Sequence, residues 1–289
     1  MHQRFLFTCC LGILFCSLFF AHPVLAAKVI QGFSHPESIT IDSTQNRIFV
    51  SNIGKEMKPT AKDGDGFISE VLADGTIVKK HLTPQGTLNA PKGIAVVDDV
   101  IYVADIDRVV GFDINSGNPV FSWDFSQDTT FLNDLIAIED RILLVSASDT
   151  GAIYQISLGD RKITDLRGHV PGANGIAYNA ETKTVYAVGL GENFNGKGNL
   201  YQLALSEPDA EFELIHSSSG FLDGIALLDN SHIIYSDWVD ISKPTPGTIY
   251  LYDLSSKQTT TLALPIKISS PADFYYQKYY SYTSIITGR

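Results

Sequence analysis

Glu37-Ser38-Ile39-Thr40-Ile41 is the first of six related phrases, each a polar residue, then a small one, then mostly apolar residues. The others are Lys92-Gly93-Ile94-Ala95-Val96, Asp134-Leu135-Ile136-Ala137-Ile138, Asn174-Gly175-Ile176-Ala177-Tyr178, Asp223-Gly224-Ile225-Ala226-Leu227 and a degraded copy, Asp273-Phe274-Tyr275-Tyr276. Successive copies start 40 to 55 residues apart, the repeat length of a four-stranded propeller blade. Six repeats predict a six-bladed β-propeller.

Each phrase reads as an innermost strand, which lines the central channel of such a ring. The six leading polar residues then form one column, Glu37, Lys92, Asp134, Asn174, Asp223 and Asp273, converging on the axis. Oxygen donors brought together from distant parts of a chain suit a hard cation such as Ca²⁺, which takes about 6–8 oxygen ligands in irregular geometry.

Second strands follow each phrase after a turn, as in Arg47-Ile48-Phe49-Val50, Arg141-Ile142-Leu143-Leu144-Val145 and His232-Ile233-Ile234-Tyr235. Third strands begin near Phe67, Val109, Ala152, Asn199 and Thr248. Turn signals such as Ala73-Asp74-Gly75 and Asn115-Ser116-Gly117 lead into the fourth. Long second-to-third connections at 51–65, 189–198 and 237–247 are expected to flank the site. The sixth repeat starts at Ser270-Pro271-Ala272-Asp273 but runs into a Tyr/Ser/Thr-rich tail from Gln277, so the last blade is expected to be incomplete. Lys28-Val29-Ile30-Gln31 is expected to supply it with an outer strand, and residues beyond Tyr279 are expected to be poorly ordered.

The chain begins with Arg4, an apolar run from Phe5 to Phe20 and the small-residue site Val24-Leu25-Ala26, which reads as a cleavable export signal over 1–26. His22 and Pro23 cut the run short of the ~20 apolar residues a spanning helix needs. The expectation is an exported, periplasmic or secreted protein with one propeller domain over 27–289 and no membrane insertion after cleavage. Cys9, Cys10 and Cys16 all lie within the signal, leaving neither disulfides nor thiol chemistry afterwards. With 32 acidic against 21 basic residues, the charge of −11 argues against nucleic acid as a partner. Cations and small neutral or sugar-like molecules are favoured.

Phe131-Leu132-Asn133-Asp134, Ala173-Asn174-Gly175-Ile176, Leu222-Asp223-Gly224-Ile225 and Pro36-Glu37-Ser38 resemble motifs of the regucalcin and gluconolactonase (senescence marker protein-like) family. The resemblance implies that Glu37, Asn174 and Asp223 bind one divalent cation, usually Ca²⁺, and that Asn133 contacts metal or substrate. Ala90-Pro91-Lys92-Gly93-Ile94-Ala95 and Val103-Ala104-Asp105 also resemble the NHL type of propeller repeat. Lys92 departs from the family pattern. Its ammonium would pair with Asp134 or Asp273, compete with a cation, or orient an anionic substrate.

Two functions follow. In one, a Ca²⁺-dependent lactonase or esterase uses Asp223 as the base while Asn133 and Lys92 hold substrate. In the other, a non-catalytic propeller recruits a small molecule or a protein partner. Other motifs carry less. Gly191 to Lys197 lacks the Ser/Thr and helix of a phosphate-binding loop. Asp63-Gly64-Asp65-Gly66 lacks the first and last ligands of a calcium loop. His35 reads as a hydrogen-bonded loop residue, and Asp105 and Asp237 as strand-end braces.

Overall fold

The computed structural model describes residues 29–243, 245–264, 266–276 and 283–287. Five antiparallel sheets, each of four strands, follow one another along the chain, and in every one the strands lie side by side in sequence order. The inner strands are Pro36–Asp42, Pro91–Val97, Leu132–Ile138, Ala173–Asn179 and Leu222–Asp229. A sixth, Pro271–Tyr276, pairs among the described residues with one strand, Thr283–Thr287. Neighbouring inner strands pack side by side around the axis, and Pro271–Tyr276 stands between the fifth and the first.

The six-bladed expectation is therefore corrected: the molecule is an all-β propeller of five blades, and a two-stranded ladder, not a blade, fills the remaining sector. Its partner strand also differs from expectation. Val29, Ile30 and Gln31 form no strand, and Val29 is exposed; the ladder is closed from the C-terminal side instead. Lys28 and the expected export segment 1–26, with its cysteines, lie outside the described residues. Among the described residues no helix is long and apolar enough to cross a membrane.

Second strands are buried along nearly their whole length, as Leu143-Leu144-Val145 shows, because blades press on both of their faces. Outer strands such as Pro119–Asp124 alternate toward solvent. Each main apolar cluster is shared by two blades. Ala95, Tyr102 and Val109 of blade two pack with Leu135, Leu143 and Val145 of blade three. Burying each of the larger side chains contributes about 1.5–3 kcal/mol, so blade-to-blade contact supplies much of the stability.

The opening phrase encodes a β-bulge. Between Pro36↔Asn52 and Ile39↔Val50 the inner strand advances three residues while its partner advances two. The same excess occurs at Pro91/Ile94, Leu132/Leu135, Ala173/Ile176, Leu222/Ile225 and Pro271/Phe274. All six bulges sit at the polar position. Such an insertion re-aims a side chain out of the pleat, here toward the axis.

Glycine follows the polar residue where the next blade comes closest. A Cβ on Gly93 would lie 2.1 Å from the Leu135 nitrogen, and one on Gly175 would lie 2.2 Å from the Asp223 carbonyl oxygen. Gly159 has nothing within 4 Å. Gly175→Ala is expected to destabilise the protein by about 2 kcal/mol, as overpacking typically does, whereas Gly159→Ala should change little. Denaturant melts of both variants check this, and equal midpoints would overturn the packing argument. Truncation before Thr283, which removes the strand Thr283–Thr287 paired to Pro271–Tyr276, should lower the melting temperature well below that of a protein lacking residues 29–31.

Candidate functional site

The bulge register decides which side chains share the axial column. Counting from each bulge, the first position holds Glu37, Lys92, Asn133, Asn174, Asp223 and Ala272. The second holds Ser38, Gly93, Asp134, Gly175, Gly224 and Asp273. The column expected from sequence thus slips by one residue in two places: Asn133 replaces Asp134, and Ala272 replaces Asp273. Leu135-Ile136-Ala137 imitates the Gly-Ile-Ala of other repeats, but it is Leu135, paired with Val145, that is equivalent to Ile176.

Asp134 and Asp273 instead tie blades together. Asp134 accepts the N–H of Leu135 at 2.7 Å and, across to blade four, that of Ile176 at 2.7 Å. Asp273 repeats the pattern, accepting the N–H of Phe274 at 2.7 Å and the Ser38 hydroxyl at 2.5 Å, which joins the two-stranded ladder to blade one. The braces expected at strand ends are present: Asp105 accepts the Asn89 and Ala90 amides and Arg108, and Asp237 accepts those of Phe221 and Val239. His35 contacts the Gly54 carbonyl at 3.0 Å, a loop role.

The column residues Glu37, Lys92, Asn133, Asn174 and Asp223 are all buried, Lys92 to 1% exposure. Burial, then the charges of Asp223, Asp273 and Asp134, push the Glu37 carboxyl well above its ordinary range, against the pull of Lys92. Glu37 makes no hydrogen bond among the described residues. Asp223 is pushed up to about 8, first by burial and then by Asp273, against the opposing pull of the neighbouring Trp238 and Asn174 side chains. Burial also raises Asp134 well above its usual value and Asp273 to about 6.

Lys92 forms no ion pair among the described residues. Its Nζ donates to the carbonyls of Pro59 at 2.7 Å and Ala90 at 3.0 Å, and lies 4.9 Å from the centre of the Phe131 ring. Neither Asp134 nor Asp273 receives it, so the salt bridge expected there is absent. Burial lowers its pKa to about 8 against the opposing pull of Glu37 and Asp105. The ammonium thereby ties the long 51–65 connection to the start of the second inner strand.

Asn133 donates through Nδ2 to the Ser148 hydroxyl at 3.0 Å, while its buried Oδ1 has no partner among the described residues. Ser148 also borders a cavity of about 150 Å³, between blades three and four, walled by Asp149, His169, Glu192 and Phe194. The cavity opens on the face that carries the starts of the inner strands.

Among the described residues no three His, Cys, Asp or Glu side chains gather as a metal cluster. The set implied by resemblance is different in kind, two carboxylates and an amide, Glu37, Asp223 and Asn174. Its chemistry fits a hard cation. Among the described residues no donor is bonded to the Glu37 carboxyl, and the unpartnered Asn133 oxygen adds a further neutral ligand atom.

No family model matches the chain, and no curated protein matches it. Solved structures share the fold at low identity. A gluconolactonase from Xanthomonas campestris is 12% identical with a TM-score of 0.66, covering 89% of this chain and 84% of its own. Virginiamycin B lyase from Staphylococcus aureus is 14% identical with a TM-score of 0.55, covering 84% and 88%. A chain of the nidogen/laminin complex is 13% identical with a TM-score of 0.62, covering 78% and 79%. These likenesses establish the propeller.

Sequence reasoning missed the slip of register and the serines opposite the bulges. A signal for the serines was present: Val50-Ser51-Asn52, Val145-Ser146-Ala147 and Tyr235-Ser236-Asp237 each place one near the end of a second strand.

The raised acid at Asp223 makes stability depend on pH. Its native value of about 8 exceeds the ordinary 3.8, so between these values the folded state holds a proton that the unfolded state has released. Unfolding free energy must then fall as pH rises from about 4 through about 8. Lys92, lowered from 10.5 to about 8, acts only above that window, where its loss of charge restores stability. Thermal melts in chelator should show a lower midpoint at pH 8 than at pH 5. A flat profile would overturn the buried-acid assignment.

Proposed function

We propose that this propeller is an exported Ca²⁺-binding hydrolase of lactone or ester substrates. The observation that carries the reading is the charge balance at the axis. The axial carboxyls of Glu37 and Asp223, with Asp134 and Asp273 at the neighbouring bulge positions, outnumber the one nearby ammonium, Lys92, in a largely buried region. A buried excess of negative charge must be neutralised by protons or by a cation.

Glu37, Asn174 and Asp223 would hold the ion. When bound, it would supply Lewis-acid polarisation of a carbonyl oxygen. Asp223 takes a proton from water, whose oxygen adds to the carbonyl carbon; the ester C–O bond then breaks, and the departing oxygen recovers the proton. A carboxyl poised near neutral pH suits that role. Asn133 offers its unpartnered Oδ1 to a substrate hydroxyl, which favours a small neutral or sugar-like molecule. Lys92 holds the substrate end of the site by keeping positive charge beside Glu37 and anchoring the loop at Pro59. The export assignment rests on the sequence of residues 1–26.

One observation favours a second reading, a non-catalytic propeller whose polar column is a plug. Lys92 at 1% and Asn174 at 3% exposure present almost no surface to a substrate. The loop face would then recruit a small molecule or a protein partner.

Calcium at 100 times its Kd should stabilise the wild type by about 2.7 kcal/mol, and Asp223→Asn, which keeps the shape but removes a charge, should abolish that gain. A lactone-hydrolysis screen with and without chelator separates the readings. Turnover lost on chelation supports the hydrolase, and calcium stabilisation without turnover supports the plug.

A further inference from the structure

Opposite each bulge stands one residue of the second strand, and its identity alternates around the ring. It is Ser51, Ser146 and Ser236 in blades one, three and five. It is Ala104, Val188 and Ile286 in blades two and four and in the two-stranded ladder. The three serines are completely buried.

Each does the same work. A bulge turns one N–H out of the ladder, and a buried N–H without an acceptor is costly. Ser51 Oγ accepts the N–H of Ser38 at 2.9 Å, Ser146 Oγ that of Asp134 at 2.9 Å, and Ser236 Oγ that of Gly224 at 2.7 Å. The captured N–H always belongs to the residue just after the column residue. Ser236 goes further, donating to the Ala272 carbonyl at 3.2 Å and so tying blade five to the neighbouring ladder. The column residues so supported are Glu37, Asn133 and Asp223. Asn174 lacks a serine opposite its bulge, where Val188 stands, and its side chain neighbours the Asp223 carboxyl.

We infer that Ser51, Ser146 and Ser236 are positioning residues of the axial site, each capturing the N–H freed by its bulge and thereby setting the aim of Glu37, Asn133 or Asp223. The inference rests on the proposed reading for its link to calcium, but its geometric content does not. Loss of the hydroxyl frees the backbone at the bulge, and the column side chain loses its fixed direction.

The test uses an isosteric pair at one position. Val188 occupies the equivalent site in blade four, so a β-branched side chain fits there. Ser236→Thr keeps the hydroxyl and Ser236→Val removes it at nearly equal volume. Trp238 interacts with the Asp223 carboxyl and is one of only two tryptophans, so in a Trp123→Phe background its fluorescence reports the surroundings of that carboxyl without metal. Expected is a shift of Trp238 emission and roughly tenfold weaker Ca²⁺ binding by calorimetry in the valine variant, with the threonine variant like wild type. Ser69→Ala is the control. This serine is equally buried and bonded to Asn52 and the Lys80 carbonyl on a third strand, so its loss should lower stability without moving either readout. Identical emission of the Val and Thr variants would overturn the inference, whether or not calcium binds. If wild type binds no calcium but the emission still separates the pair, the positioning role stands and the calcium reading falls.

Discussion

The β-bulge at the start of every inner strand is the constraint on which the rest depends. A regular strand would alternate its side chains between the two neighbouring blades, both apolar. One inserted residue gives each inner strand a position that belongs to neither blade and faces the axis. The apolar residue after the bulge then returns to the blade interface, as Ile39, Ile94, Leu135, Ile176, Ile225 and Phe274 all do. The polar centre and the packed interfaces are two consequences of one register shift.

That arrangement explains why the second bulge position is either glycine or a hydrogen-bonding residue. The next blade's backbone passes within about 2–3 Å of where a side chain would begin at Gly93, Gly175 and Gly224. Where a side chain is present, it is polar and is used across the gap, as in Asp134 to Ile176 and Asp273 to Ser38. Steric closeness and hydrogen bonding are alternative ways to seal the same seam. The Asp273–Ser38 bond bears on closure especially, because the ladder it anchors has only two strands with which to hold its place between blades five and one.

Much of this was legible in the sequence. The spacing of the phrases marked the inner strands, and Glu37, Lys92, Asn174 and Asp223 do share the column. The register of blade three was not legible, because Leu135-Ile136-Ala137 matches the apolar pattern one residue out of step; only the pairing of Leu135 with Val145 separates the alternatives. Blade count failed for a different reason. An inner-strand phrase announces a sector of the ring but says nothing of how many strands lie behind it. Lys92 shows a third limit, since charge alone suggested a carboxylate partner. The structure gives its ammonium two backbone carbonyls and an aromatic ring, groups that no side-chain pattern advertises.

The position of Lys92 also shapes what the axis can accept. Directed at the Pro59 and Ala90 carbonyls, the ammonium lowers the negative potential at Glu37 without being bonded to it. Coulomb interactions strengthen as the dielectric falls, so this single buried charge opposes the rise of the Glu37 carboxyl. Asp134 and Asp273 are already bonded through both oxygens, which leaves Glu37 as the acid with unspent acceptors and Asp223 as the one shared with Asn174 and Trp238. Under the proposed reading, two of the four acids are committed to holding blades together and two to holding an ion. The bulge register makes that division, since first-position residues face the axis and second-position residues face the next blade.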